Sequence, residues 1–579
     1  MSLRNSFSQK KHSLIDAYFA KMHALRASDA FFLKLALFIT AFCGLILLAQ
    51  ASLRETVQIP AFGGTFSEGI IGTPRFVNPV LAVTRADRDL STLIYDGLMR
   101  LGVDGTLVPS IAESVTISED GLTYSIVVKQ NIYFHDGTPL TARDVVFTAS
   151  RIQDPALNSP LSGNFDGVVV EEIGEYELNF ILPEAYGPFT ENLTFGIIPE
   201  HIWKEAGTDE FPFSQYNSEP IGSGPYQIKT IARNTSGIPV SYTLTANKGF
   251  HITAPKIETL EFYFYPTEDQ LRDAFTKGII ESVVGIDPAY IDQFGLAPLT
   301  HHLERIPLPR TFALFINQNK SLALRDPAAR EALNVAVDRT TLIESTLGGY
   351  GNALTSPVPP GFTQVTSATA TLPSVDTARE ILRNGGWKMN DETQHWEKTI
   401  GGEVVPLIFS ISTANNGTFE ATAEYLRNVW TSLGAEVTVK QFEQSDLTQA
   451  VIRPRDYETL LFGTQLGRSL DYYSFWHSSQ RTNPGLNVAL YANITTDSIL
   501  SEMRRSADHT GRDAAIQKFI EELNTETPAI FLYAPELLYI VPNKITGATF
   551  TGVSEPYERF STIYDWYIQT ESIWPFFKK

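Results

Sequence analysis

Residues 134–145 read Phe134-His135-Asp136-Gly137-Thr138-Pro139-Leu140-Thr141-Ala142-Arg143-Asp144-Val145. The Asp136-Gly137 pair marks a tight turn, since glycine takes positive φ without a Cβ clash. A helix is expected to begin at Thr141, whose hydroxyl can cap the amides, with Asp144 favouring the first turn. Just upstream, Tyr124-Ser125-Ile126-Val127-Val128 alternates between the turns Asp120-Gly121 and Asp136-Gly137, as a hairpin strand does. Strand signals dominate residues 62–130, so this stretch joins a β-rich segment to a helix.

Farther along, Asp326 before Pro327 predicts a helix through about Arg339, and Asp376 starts one that Gly385 ends. A helix over 418–433, then Gly434, then Glu436-Val437-Thr438-Val439 reads as an α-to-β unit, with another helix across 512–524. The Pro/Gly-rich stretches 218–225 and 354–362 are loops or crossings between domains. At 579 residues, roughly 100 to 200 per domain implies several domains. Hydrophobic residues make up 43% and charged ones 19%, which fits a globular chain and excludes disorder or coiled coil for its bulk. With 45 Lys plus Arg against 65 Asp plus Glu, the net charge of −20 has the wrong sign for coating nucleic-acid phosphates. No nucleic acid is expected as a partner.

Residues 31–49, FFLKLALFITAFCGLILLA, form an almost unbroken apolar run, enough at 1.5 Å per residue to cross a core of about 30 Å. Only Lys34 in it is charged. Upstream lie Arg4, Lys10, Lys11, Lys21 and Arg26 against Asp16 and Asp29, so residues 1–30 are expected inside and everything after about residue 50 outside. A cleaved signal peptide is the competing reading, because Ala49 and Ala51 make an A-x-A site. The long stretch before the run favours an uncleaved signal anchor. The single cysteine, Cys43, lies inside the run, so the exported body has no thiol for a disulfide, redox pair or zinc site.

Catalytic signatures are absent: there is no G-x-S-x-G elbow, H-E-x-x-H helix, Walker loop or strand-linked G-x-G-x-x-G. Ser223 in Gly222-Ser223-Gly224 reads as a turn rather than a nucleophile, and His135 as a turn residue rather than a base. His301 and His302 are neighbours that a strand would aim to opposite faces, so they are poor joint metal ligands. No cofactor is expected.

Four segments nevertheless form a pattern. The first is Phe134–Val145, with its aromatic, D-G and P-hydrophobic-T-A-x-D-V sequence. The second is Pro220-Ile221-Gly222-Ser223-Gly224-Pro225-Tyr226. The third is Asp326–Arg339 followed by Ser356-Pro357-Val358-Pro359-Pro360, and the weakest is Asp471-Tyr472. From about residue 62 to 570 the chain resembles the extracellular solute-binding proteins of family 5, which serve oligopeptide and dipeptide ABC importers.

That resemblance implies an α/β (mixed α+β), two-lobed fold of the periplasmic-binding-protein type II-like kind, with an extra subdomain, preceded by one N-terminal transmembrane helix. It divides the chain into a cytoplasmic segment 1–30, a transmembrane anchor 31–50 and an opening stretch of the first lobe at 56–100. An inserted subdomain 101–217 follows, and the first lobe resumes at 218–308. The second lobe is 309–540, and the first lobe closes with 541–579. Asp471 falls where the family holds a ligand's α-ammonium, with Tyr472 beside it; the alternative is that Asp471 caps a short helix through Tyr473 to His477. Many members have Trp where this chain has Arg468, which either pairs with Asp471 or reaches a ligand carboxylate. The implied protein is a monomer on the cell membrane, its body periplasmic or on the outer face, that hands peptides to ABC permease subunits without catalysis. An anchored cell-envelope hydrolase with an unrecognised site, or a permease-independent chaperone or sensor on the same fold, are the alternatives.

Overall fold

The computed structural model describes residues 27–363, 365, 373–506 and 511–574; within the first helix, side chains are described at 29 and 31–47. The chain divides into two units. One is the body, Phe62–Ile568, and the other comprises the end segments up to Ala61 and from Gln569.

The body is organised on a twelve-stranded mixed sheet whose longest strand, Ala529–Pro542, belongs to both halves. Its first residues pair antiparallel with Arg310–Ile316, while Glu536–Pro542 pair with His301–Pro307 and Tyr539–Ile540 with Ser282–Val284. A continuous fourteen-residue strand, buried on both faces over most of its length, ties the halves without a loop. Each half carries its own core. One gathers Phe66, Leu260, Phe262 and Trp566, the other Leu314, Ile411, Trp430 and Leu461. The body therefore has two lobes, crossed by this strand and by the connection from His301–Pro307 to Arg310–Ile316.

The predicted β-rich stretch supplies a separate four-stranded antiparallel sheet, with Thr123–Val128 between Ala112–Ile117 and Glu177–Ile181. The helix after it is Ala142–Ile152, and Asp144 does more of the capping than Thr141: its carboxylate accepts from the Thr141 amide (2.9 Å) and the Glu200 amide (2.9 Å). The helix expected to run from Asp326 to Arg339 is two helices, Pro327–Val335 and Arg339–Leu347. The break follows from Asp338, whose side chain takes the Thr340 and Thr341 amides as a second N-cap. The helices Val375–Asn384, Gly417–Leu433 and Arg512–Glu526 lie within one or two residues of the expected ranges, the first capped by Ser374 and not by Asp376.

The end segments pair with each other: Val57–Ala61 runs antiparallel to Gln569–Ile573. Before them lies the helix Ala27–Glu55, whose apolar side chains are exposed, Phe38 by 67% and Leu45 by 65%. Among the described residues no helix is long and apolar enough to cross a membrane, the continuous side chains of this one being those of 31–47. Residues 1–26, most of the expected cytoplasmic segment, lie outside the described residues.

His135 shows why the first two motifs recur together in space. Its Nδ1 accepts from the Gly222 amide (3.3 Å), and its Nε2 lies 3.1 Å from the Gly224 carbonyl, which fixes the neutral Nε2–H form. Both glycines are required because a Cβ on either would fall under 3 Å from the Ile94 backbone. Burial holds the imidazole down to about 4, well below its usual value. The sign follows: protons bind the unfolded chain below pH ~6.5 while the folded ring stays neutral, so stability is lost as pH falls from there towards 4. By pH 5 the loss is on the order of 2 kcal/mol relative to pH 7. Denaturant titrations at the two pH values should show it, and His135→Gln should remove that share of the difference; an unchanged pH dependence in the variant would refute the assignment.

Candidate functional site

The strand Thr459–Gln465 ends at the seam between the lobes, and Gln465-Leu466-Gly467-Arg468 wall one side of a cavity of about 440 Å³. The rest comes from the helix Arg85–Ile94 with the Tyr95–Leu101 stretch after it, residues around Glu191, and the segment from Ser554 to Tyr564. That volume suits a small molecule or a short peptide.

A pair of polar links closes the seam. Arg468 donates through Nη1 to the Gly552 carbonyl and through Nη2 to Glu558 Oε1 (2.8 Å). Glu558 Oε2 meanwhile takes the Ser554 amide (2.6 Å) and hydroxyl (2.8 Å), so the carboxylate is fixed before the arginine meets it. Gln465 bridges Arg310 and Glu555, accepting from one (3.1 Å) and donating to the other (2.6 Å). Burial pushes the Glu555 carboxyl up, only partly offset by Arg88 and Arg310. Gly467 is small for a reason: a Cβ there would come 2.7 Å from Glu191 Oε2 across the seam. Burial also raises the Glu191 carboxyl, opposed by the Ser469 hydroxyl and Arg468.

On the first-lobe wall several polar groups have no hydrogen-bond partner among the described residues. They are Arg100 Nε and Nη1, Tyr95 OH and Ser91 Oγ. Tyr95 is 3% exposed and Ser91 7% exposed, and both line the cavity with Arg100. Burial lowers the Arg100 guanidinium from its ordinary value, with Asp96 and Asp565 opposing. Asp96 itself is taken by the Ser110 hydroxyl (2.6 Å) and His251 Nε2 (2.7 Å). An orphaned buried donor costs about 1–3 kcal/mol, a debt that an acceptor arriving in the cavity would remove.

The three residues singled out from sequence fall in different places. Arg468 lines the cavity and meets Glu558, not Asp471. Asp471 accepts the Tyr473 amide at Oδ1 (3.1 Å), a turn that leads into the short helix Tyr473–Trp476, and its Oδ2 faces Arg504 Nε at 3.8 Å. Arg504 in turn lies over the rings of Tyr473 and Tyr186. The Tyr186 phenol is pushed up by burial and by the Asp471 carboxylate, and so stays a neutral donor. Tyr472 is a core residue, 1% exposed against Phe519. The loop bearing all three is strained, because Leu470 is buried at φ +53°, a left-handed conformation that costs a β-carbon-bearing residue about 1–2 kcal/mol.

Ser223 Oγ is buried without a partner among the described residues, and His135 contacts the glycines on either side of it. Both nitrogens of that ring are committed to backbone groups, so the imidazole has no lone pair left to take a serine proton. Sequence reasoning missed Arg100, Tyr95, Ser91 and the Glu555/Glu558 pair. Nothing in their spacing marks them, since what they share is a cavity wall and not a segment.

Comparison with known proteins gives a consistent result. The model for "Bacterial extracellular solute-binding proteins, family 5 Middle" matches residues 106–485. The chain is 25% identical over 533 residues to the oligopeptide-binding protein AppA of Bacillus subtilis, covering 89% of this chain and 94% of that protein. The structure of AppA in complex with a nonapeptide superposes with a TM-score of 0.65 at 23% identity, covering 88% of this chain and all of the other. The ABC transporter substrate-binding protein CtaP of Listeria monocytogenes superposes with a TM-score of 0.72 at 25% identity, covering 88% and 99%.

Proposed function

Since the chain belongs to the bacterial extracellular solute-binding proteins of family 5, whose members bind a solute for an ABC importer and catalyse nothing, we propose that this one captures short peptides between its lobes and delivers them to permease subunits in the membrane. The observation that carries the reading is the seam cavity, where fixed charges of both signs and unpartnered donors face one enclosed volume. A peptide brings a carboxylate, an ammonium and a row of amides. Arg100 offers its two free N–H groups to the carboxylate. Asp471 takes the ammonium: Arg504 stays 3.8 Å away, outside hydrogen-bond reach, so a primary amine can make the direct bond that Arg504 does not. Peptide main chain pairs with the strand end at Gln465–Arg468. Arg468 completes the wall and, through Glu558, holds the lobes together over the ligand.

Calorimetry with a pool of tri- to pentapeptides should give binding, and end-blocked versions of the same peptides, acetylated or amidated, should bind more weakly. Binding of a sugar or a metal chelate with no peptide bound would overturn the ligand class. The protein acts as a monomer, and residues 31–50 are its membrane anchor with the body outside. The apolar run and the basic residues before it support this.

A further inference from the structure

The charges lining the seam cavity do not balance once the contacts they already make are counted. Among the described residues its wall holds four carboxylates and three guanidiniums. Two of the carboxylates are occupied: Asp96 takes the Ser110 hydroxyl (2.6 Å) and His251 Nε2 (2.7 Å), and Glu558 takes Arg468 and Ser554. The other two, Glu191 and Glu555, have no hydrogen-bonded cation. Glu191 is met by the Ser469 hydroxyl and amide and makes no ion pair among the described residues. Glu555 accepts from Gln465 at Oε1 (2.6 Å), while its Oε2 faces Arg88 Nη1 at 3.8 Å, too far for a direct bond. Both residues are half-buried, so a ligand can still reach them, and burial raises both carboxyls. Gly467 adds room on this side, since a Cβ there would press on the Glu191 carboxylate at 2.7 Å.

The spare donors of the cavity start from the same place. Ser91 and Tyr95 follow Arg88 by three and seven residues, so they extend from the Glu555 end along one face of the helix Arg85–Ile94 and its C-cap for about 10 Å. Their hydroxyls, buried and unpartnered among the described residues, are joined on the wall by the two free N–H groups of Arg100. Donors without acceptors and carboxylates without cations in one volume are complementary to a peptide main chain bearing a positive side chain. Its carbonyls and terminal carboxylate meet the hydroxyls and Arg100, and its side-chain cation meets the carboxylates.

We propose that the seam cavity selects peptides that carry a basic side chain, with Glu191 and Glu555 taking its ammonium or guanidinium group. The proposal rests on the ligand being a peptide and names which peptides. Arg88 is the resident cation beside Glu555, and its side chain is 38% exposed, so it can turn to water as the ligand's charge arrives.

The test is calorimetry at pH 7 on the full chain, with trialanine peptides in which lysine, norleucine or glutamate replaces alanine at each position in turn. Norleucine keeps the apolar stem of lysine and removes the ammonium. At one position or more, lysine should bind about 10-fold or more tighter than norleucine, as a hydrogen bond between charged partners gives, and glutamate should bind more weakly than both. Glu555→Gln and Glu191→Gln should each bring the lysine-to-norleucine ratio towards one, whereas Arg88→Gln should raise it. If the peptides bind but lysine and norleucine are equal at every position, the selection is overturned and the peptide reading stands. A lysine preference that survives both carboxylate changes overturns the assignment to Glu191 and Glu555. A glutamate peptide bound tightest overturns it too and makes Arg100 the selecting group. If no peptide binds while a sugar or a metal chelate does, the peptide reading itself has failed and this inference falls with it.

Discussion

Replacing Arg559 by methionine is expected to destabilise the body by roughly 3 to 5 kcal/mol, the typical cost of stripping one partner from a buried charge pair. Arg559 donates to both oxygens of Asp89 (2.9 and 2.7 Å) and to Glu68, and all three side chains are fully buried. The guanidinium lies over the ring of Phe560, 3.9 Å from its centre, and faces that of Tyr539 at 5.6 Å. Burial works against the guanidinium, but Asp89 and Glu68 more than offset it and hold its proton above the ordinary value. Glu68 is pushed up by the same burial, and the Tyr539 hydroxyl (2.9 Å) occupies its other oxygen. These contacts bind the segment near residue 559 to a strand and a helix almost 500 residues earlier. The loss should appear as a lower guanidinium-chloride midpoint at constant slope. It should shrink on acidification, because the stranded carboxylates can then neutralise. Arg559→Lys should recover some of it, limited by the missing fork. A loss below about 1 kcal/mol would show that the cluster is solvated and the burial argument wrong.

Asp471→Asn should weaken free peptides by about 10²-fold or more, as expected when a desolvated charge loses its partner, and should weaken N-acetylated peptides far less. The shape is kept and the Tyr473 amide still finds an oxygen, so the short helix should survive. Arg504 makes the test sharper. As the resident cation 3.8 Å from Asp471 it competes with an incoming ammonium, so Arg504→Met should tighten free peptides and leave acetylated ones unchanged. Equal affinities for free and acetylated peptides in the native protein would leave Asp471 with its turn-forming role alone.

Much of this is legible in the chain. The Asp-Gly turns, the cap at Asp326 and the alternation around Tyr124 act over four or five residues, and local chemistry is what a sequence displays. The helix that breaks in two does so on a second local signal, Asp338, which caps a new helix within what reads as one. Several motif residues serve to hold the fold. His135 with Gly222 and Gly224, and Arg330 with the Glu526 carbonyl (2.7 and 2.9 Å), fasten turns and helices together.

What the sequence by itself determined is therefore the element set, the mixed α/β class, the family and the loop that reaches the seam at Gly467–Asp471. Only the tertiary structure decided what that loop meets. Arg468, three residues from Asp471, turns instead to Glu558, because a strained Leu470 sends successive side chains apart and the far lobe offers a carboxylate already fixed by Ser554. Arg100, Tyr95 and Ser91 became visible as a site only when burial left them without partners. An unsatisfied donor is a property of the space around an atom, which closes when distant segments pack and which no spacing along the chain records.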